Sequence, residues 1–115
     1  MANNAKQFCE DYFKSAIETM KQQVPDTLSG FGGLFQKVMK DGSLSVKEKE
    51  LVAVGIAVAQ RCLPCINLHV QKSLAAGATR AQVLEAASVA VMMGGGPAYT
   101  HLPLVIEALD SFDAK

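Results

Sequence analysis

Apolar residues recur every three or four positions through most of this chain, and strict alternation never lasts more than a few residues. That period belongs to amphipathic helices, so an all-α fold is expected: a compact single domain of about six helices around a central antiparallel helical hairpin. Asn3 or Asn4 caps a first helix with Phe8, Tyr12, Phe13, Ile17 and Met20 on its apolar face. Pro25 marks a break and a new helix carrying Leu28, Phe31, Leu34, Phe35 and Val38, whose first turn is expected to be irregular because of Gly30, Gly32 and Gly33. Asp41-Gly42-Ser43 is a turn signal, and Ser45 with Glu48 reads as a capping box ahead of the apolar run Leu51 to Ala59. That third helix should end near Gln60 to Cys62. Pro64 suits the first turn of a fourth, which should reach about Ala76 and stop at Gly77. Thr79 and Gln82 form a second capping-box signature, followed by a helix apolar on nearly every side, as expected of one buried in a core or an interface. Gly94-Gly95-Gly96-Pro97 ends it, and a last helix carries Leu102, Val105, Ile106, Leu109 and Phe112.

At 115 residues the chain is expected to form one domain. Half of the residues are apolar and only 19% are charged, which argues against disorder. That apolar share is high for a small domain, so part of it is assigned to a subunit interface and a homo-oligomer is expected. Eleven basic residues balance eleven acidic ones with no basic stripe, which argues against nucleic acid as a partner. The longest apolar run is nine residues, far short of the roughly 20 that span a bilayer, so no membrane partner is expected. The N-terminus shows no apolar signal core, and the expected location is cytoplasmic.

The densest chemistry lies in Cys62-Leu63-Pro64-Cys65-Ile66-Asn67-Leu68-His69. A cysteine pair in a reducing compartment is more often catalytic or metal-binding than a structural staple. Either thiol in the first turn of the fourth helix should ionise more easily, because unsatisfied N–H groups and the helix dipole stabilise an anion there. Pro64 stiffens the turn between the sulfurs, and Arg61 adds nearby charge. Cys65 and His69 are four apart, so they share a helical face, and the imidazole can act as a general base toward the thiol. An acidic partner should then orient that base. Glu50 precedes Cys62 by twelve residues, about 18 Å along a straight helix. A hairpin broken near Cys62 and Leu63 instead brings Glu50 back beside residues 69 to 74, within reach of His69 and far from Cys62. Glu48 competes, but its place in the capping box already explains it.

Glu50, Cys62, Cys65 and His69 together match the E-x11-C-x2-C-x3-H pattern of the AhpD-like branch of the carboxymuconolactone decarboxylase family. Leu44-Ser45, Ala76-Gly77-Ala78-Thr79 and Met93-Gly94-Gly95-Gly96-Pro97-Ala98 agree with it as well. The chain therefore resembles that family over a core at 25–112, with residues 1–24 as an added N-terminal helix on a single domain spanning 1–115. The resemblance implies an all-helical fold, assembly from dimers or trimers into a trimer or hexamer, and peroxidase or disulfide-reductase activity of peroxiredoxin type. It implies that Cys65 is oxidised to a sulfenic acid, that Cys62 is proton donor and resolving thiol, and that His69 and Glu50 form a proton relay. It implies no bound cofactor beyond a redox-active Cys62–Cys65 disulfide. The substrate would be a hydroperoxide or disulfide, with electrons from a thiol donor protein or small dithiol. Thioredoxin-type reasoning would instead make Cys62 the nucleophile. One departure stands out: AhpD proper within that branch carries a second histidine between its cysteines, where this chain has Pro64.

Other readings compete. Cys62, Cys65 and His69 with Glu50 or water would make a zinc set, but structural zinc usually takes a second ligand pair and none is present, so no metal is expected. A non-catalytic oligomeric protein is the alternative from another class. A lactone decarboxylase is a further one, against which the thiols argue, since the decarboxylase branch works without a C-x2-C pair. Cys9 reads as packing beside Phe8 and Tyr12, and His101 as a capping or solvent-facing residue before Pro103, with a role across a subunit boundary as its alternative.

Overall fold

In the computed structural model, which describes residues 2–115, helices succeed one another without a strand among the described residues. They are α1 (Ala5–Gln7), a π-helical turn (Phe8–Tyr12), α2 (Phe13–Gln23), α3 (Pro25–Val38), α4 (Val46–Ala59), α5 (Leu63–Ala75), α6 (Arg80–Gly94), α7 (Gly96–Tyr99) and α8 (Leu102–Ser111). The first three segments run on continuously and α7 is a single turn, which leaves the six helices expected.

Local chemistry sets the helix ends. The Asn4 side chain accepts the Gln7 N–H at the start of α1. Ser45 with Glu48, and Thr79 with Gln82, close both halves of their capping boxes at α4 and α6. The Ser45 backbone N–H and hydroxyl hold the Glu48 carboxylate below its ordinary range. Gly77 ends α5 at φ +95°, a left-handed conformation that a Cβ would strain. α3, by contrast, is regular from Pro25 onward. Its glycines face open space and cost propensity without breaking the helix, so the expected irregular first turn does not form.

α4 is the hub, packed against α5 on one side and α6 on the other, while α8 crosses α5 and α6 and receives α1. Val54 and Val58 of α4, Ile66 and Val70 of α5, Val83 and Ala87 of α6, and Val105 and Leu109 of α8 are fully buried together. Truncating Ile66 or Leu109 of this set to alanine costs about 2–5 kcal/mol in comparable cores. The Arg80 guanidinium ties the start of α6 to the chain's end, donating to Asp110 at 2.8 Å and to the Ala114 carbonyl at 2.9 Å.

Two faces stay bare. α2 and α3 bury no residue fully, and Phe31, Leu34 and Val38 of α3 are exposed. α6 buries Val83, Ala87 and Ala90 but exposes Val89, Met92 and Met93, so its apolar character on the far side is not used within the chain. Beside it, Val52, Gly55 and Ile56 of α4 and Ala86, Val89 and Met93 of α6 line an apolar groove of about 400 Å³.

Cys9 lies in the π-helical turn, buried, with its thiol donating to the Asn67 carbonyl of α5 at 3.4 Å. Burial outweighs the attraction of the Lys72 ammonium and pushes this thiol from 9.0 to about 11. Cys9 should therefore resist alkylation at pH 8 in the folded chain and react only after denaturation, as mass mapping of labelled peptides would show; brisk native labelling contradicts the burial. The linkage has a definite sign. Between pH 9.0 and about 11 an unfolded Cys9 ionises while the folded one stays neutral, so stability falls as pH rises through that window. Cys9→Ala should flatten that decline in denaturant titrations.

Candidate active site

The break between α4 and α5 builds one end of the site. α4 ends at Ala59, Gln60 is its C-cap, and Arg61 takes a left-handed conformation at φ 57°. Reversal there lets the Cys62 N–H return to the Ala57 carbonyl at 3.0 Å. Cys62 is then the extended N-cap of α5, with Pro64 in the first turn, where its missing N–H leaves nothing unsatisfied. The Cys62 sulfur accepts the Cys65 N–H at 3.2 Å. The two sulfurs are joined, with Cα atoms 5.2 Å apart, inside the range a disulfide requires. Both residues are partly exposed.

His69 lies one turn beyond Cys65 on the same face of α5. Its Nδ1–H donates to Glu50 Oε1 at 2.7 Å, and the Glu50 side chain is only 4% exposed against 20% for His69. The hairpin thus folds Glu50 back onto His69, the contact expected from its register. A carboxylate this buried is tolerable only with a partner, and the imidazole is that partner. With Nδ1 committed to Glu50, Nε2 is the ring nitrogen left to exchange a proton. Glu48 stays at the α4 N-terminus in its capping box.

The remaining sequence candidates separate from this cluster. Cys9 is on the π turn, bonded to Asn67. His101 donates Nδ1–H to the Pro97 carbonyl at 2.8 Å within its own chain. Among the described residues, no three His, Cys, Asp or Glu side chains gather as a metal-holding group. No helix is long and apolar enough to cross a membrane among those residues.

Three neighbours of the site have no signature in the sequence. The Phe35 ring from α3 stacks on the His69 imidazole, with centroids 6.3 Å apart and planes 24° from parallel. The Lys72 ammonium lies 5.2 Å from the Phe35 centroid. Lys49 Nζ donates to the Val38 and Lys40 carbonyls at 2.7 and 2.6 Å, pinning the end of α3 to α4. Phe35 reads in the sequence only as one more apolar residue of its helix. Nothing in helical periodicity says that this ring lands on His69.

Similar proteins are found both by sequence and by structure. An uncharacterized protein from Cupriavidus necator is 34% identical over 93 residues, covering 81% of this chain and 82% of that protein. The structure of a carboxymuconolactone decarboxylase family protein from Legionella pneumophila superposes with a TM-score of 0.82 at 37% identity, covering 87% of this chain and 89% of that one. A Thermotoga maritima member of the family, described as a candidate for involvement in an antioxidative response, superposes with a TM-score of 0.79. Its 24% identity over 89% of this chain and 87% of that one speaks to the fold alone. The sequence profile of the carboxymuconolactone decarboxylase family matches residues 25–108, and with its helical fold and C-x2-C segment this chain belongs to that family, consistent with its AhpD-like branch.

Proposed function

We propose that this protein is a thiol-dependent oxidoreductase that reduces a hydroperoxide or a disulfide through Cys62 and Cys65, with electrons from an external dithiol. The observation that carries the reading is a joined cysteine pair at the start of α5, one turn from a histidine held by a buried carboxylate. Such a pair in a reducing cytoplasm is maintained for chemistry more often than for stability. The bare faces of α3 and α6 support assembly into a trimer or hexamer.

The chemistry follows from the positions. His69 Nε2 takes the Cys65 proton, and the thiolate attacks the outer oxygen of a hydroperoxide. The O–O bond breaks, the departing alkoxide takes a proton and leaves as an alcohol, and Cys65 is oxidised by two electrons to a sulfenic acid. The Cys62 thiolate attacks the Cys65 sulfur, water leaves, and the disulfide forms. An external dithiol then exchanges with that disulfide and becomes oxidised in turn. With a disulfide substrate, Cys65 forms the mixed disulfide and Cys62 resolves it, releasing a dithiol. Glu50 holds the imidazole by Nδ1–H throughout and stabilises the imidazolium.

One feature favours the opposite order. The Cys62 sulfur, not that of Cys65, accepts an N–H at the helix start, which would stabilise a Cys62 thiolate as the first attacking nucleophile. Proximity to His69 is the reason for placing the first step on Cys65.

A simple mass measurement tests the couple. The reduced chain, treated with one equivalent of peroxide, should lose the mass of two hydrogens, about 2 Da, with a disulfide mapping to Cys62 and Cys65. Thiols that stay reduced under peroxide while the chain binds one zinc would sink the proposal in favour of a metal-binding protein.

A further inference from the structure

We propose that Phe35 is a positioning residue for His69, holding the imidazole against Glu50 and keeping water from their hydrogen bond. Three observations converge on it. Its ring stacks on the imidazole at 6.3 Å and 24°, on a histidine whose side chain is already 80% covered. Its ring also lies 5.2 Å from the Lys72 ammonium, one turn along α5 from His69, so two residues of α5 grip the same aromatic side chain. The helix that delivers it buries no residue fully, yet Lys49 holds its last carbonyl, Val38, and that of Lys40 just beyond.

The adjacency of Lys49 and Glu50 gives the arrangement its logic. Consecutive residues of α4 point in different directions, so Lys49 fastens α3 while Glu50 fastens His69. The two contacts tie the end of α3 and the imidazole to α4. Phe35 is one turn before the end that Lys49 grips, so its ring is carried where the imidazole must be covered. The Nδ1–H bond to the buried carboxylate lasts only while the imidazole does not rotate about its side-chain bonds. An aromatic ring beside it, with centroids 6.3 Å apart, opposes that rotation without offering a competing hydrogen bond. Neighbouring Leu34 is 58% exposed and Phe31 is 66% exposed, so coverage of the site falls to Phe35 among these apolar residues of α3.

The consequence for turnover rests on the reductase reading, but the positioning does not. The full chain, labelled with ¹⁵N-histidine, should show a His69 Nδ1 proton protected from water by its bond to Glu50. In Phe35→Ala that proton should exchange about tenfold faster. Phe35→Tyr, which keeps the ring, should preserve protection, and so should Leu34→Ala on the neighbouring exposed position. Equal exchange in Phe35→Ala and the unaltered chain overturns the inference. Equal acceleration in Leu34→Ala also overturns it, because the effect would then belong to α3 as a whole. Should Phe35→Ala not fold, Phe35→Leu decides in its place: it keeps apolar bulk without a flat face and should exchange severalfold faster, whereas unchanged exchange overturns the proposal. Under the reductase reading, Phe35→Ala also lowers kcat more than it raises KM. Faster exchange with unchanged turnover leaves Phe35 as the positioning residue and removes His69 from the relay.

Discussion

Cys65→Ser should abolish reduction of both peroxides and disulfides, a loss of at least about 10³-fold, because a hydroxyl at this position is neither ionised nor nucleophilic near neutral pH. The fold should survive the change. Cys65 is partly exposed in the first turn of α5, and its N–H remains to bond residue 62. Cys62→Ser should behave differently. Serine is a favoured N-cap residue, so its hydroxyl can accept the same Cys65 N–H and α5 still starts in place. The first oxidation then proceeds once per chain and stops, leaving a sulfenic acid on Cys65 that a dimedone-type reagent captures. Mapping the adduct by mass spectrometry reads the assignment directly. An adduct on Cys62 in the Cys65→Ser chain, with none on Cys65 in the Cys62→Ser chain, would reverse the two roles. It would make the N–H bond at Cys62 more important than the proximity of His69.

The parts of this site that were legible in the sequence are those made by local chemistry and by one reversal of the chain. Pro64 and the cysteine spacing place the thiols at a helix start, and the register of a hairpin broken near residue 62 brings Glu50 to His69. Capping boxes at Ser45 and Thr79 mark helix starts as closely, because each is complete within four residues. Contacts between helices far apart in sequence were not legible. Phe35 has the same apolar signature as Phe31 and Leu34, yet only Phe35 is seen stacked on the imidazole, because that depends on how α3 swings against α5. The π-helical turn at Phe8–Tyr12 was equally hidden, since an extra residue in a helical turn leaves no fixed mark in the apolar period. α6 shows a third kind of limit. Periodicity reports that nearly all its faces are apolar, but not whether a face meets this chain or another surface, and Met92 and Met93 remain exposed.

His69→Ala should destabilise the fold by about 3 kcal/mol in denaturant titrations near neutral pH, an effect out of proportion to a side chain that is one-fifth exposed. The reason lies with Glu50. Its carboxylate is 4% exposed and His69 is its hydrogen-bonded partner, so truncating the imidazole leaves a buried carboxylate without that donor. Glu50→Gln alone should cost less, about 1 kcal/mol, because a neutral amide is less costly to bury than a carboxylate and still presents an oxygen to Nδ1–H. The informative chain is the double variant. If the penalty of His69→Ala is the stranded carboxylate, adding Glu50→Gln should recover stability, and the two effects should fail to add by at least about 1 kcal/mol. Strict additivity would mean that the 2.7 Å contact contributes little and that His69 is held by its packing instead. Stability and chemistry should also separate here. Glu50→Gln keeps the imidazole in place but cannot stabilise an imidazolium as a carboxylate does, so alkylation of reduced Cys65 should slow even where the fold is nearly as stable as before.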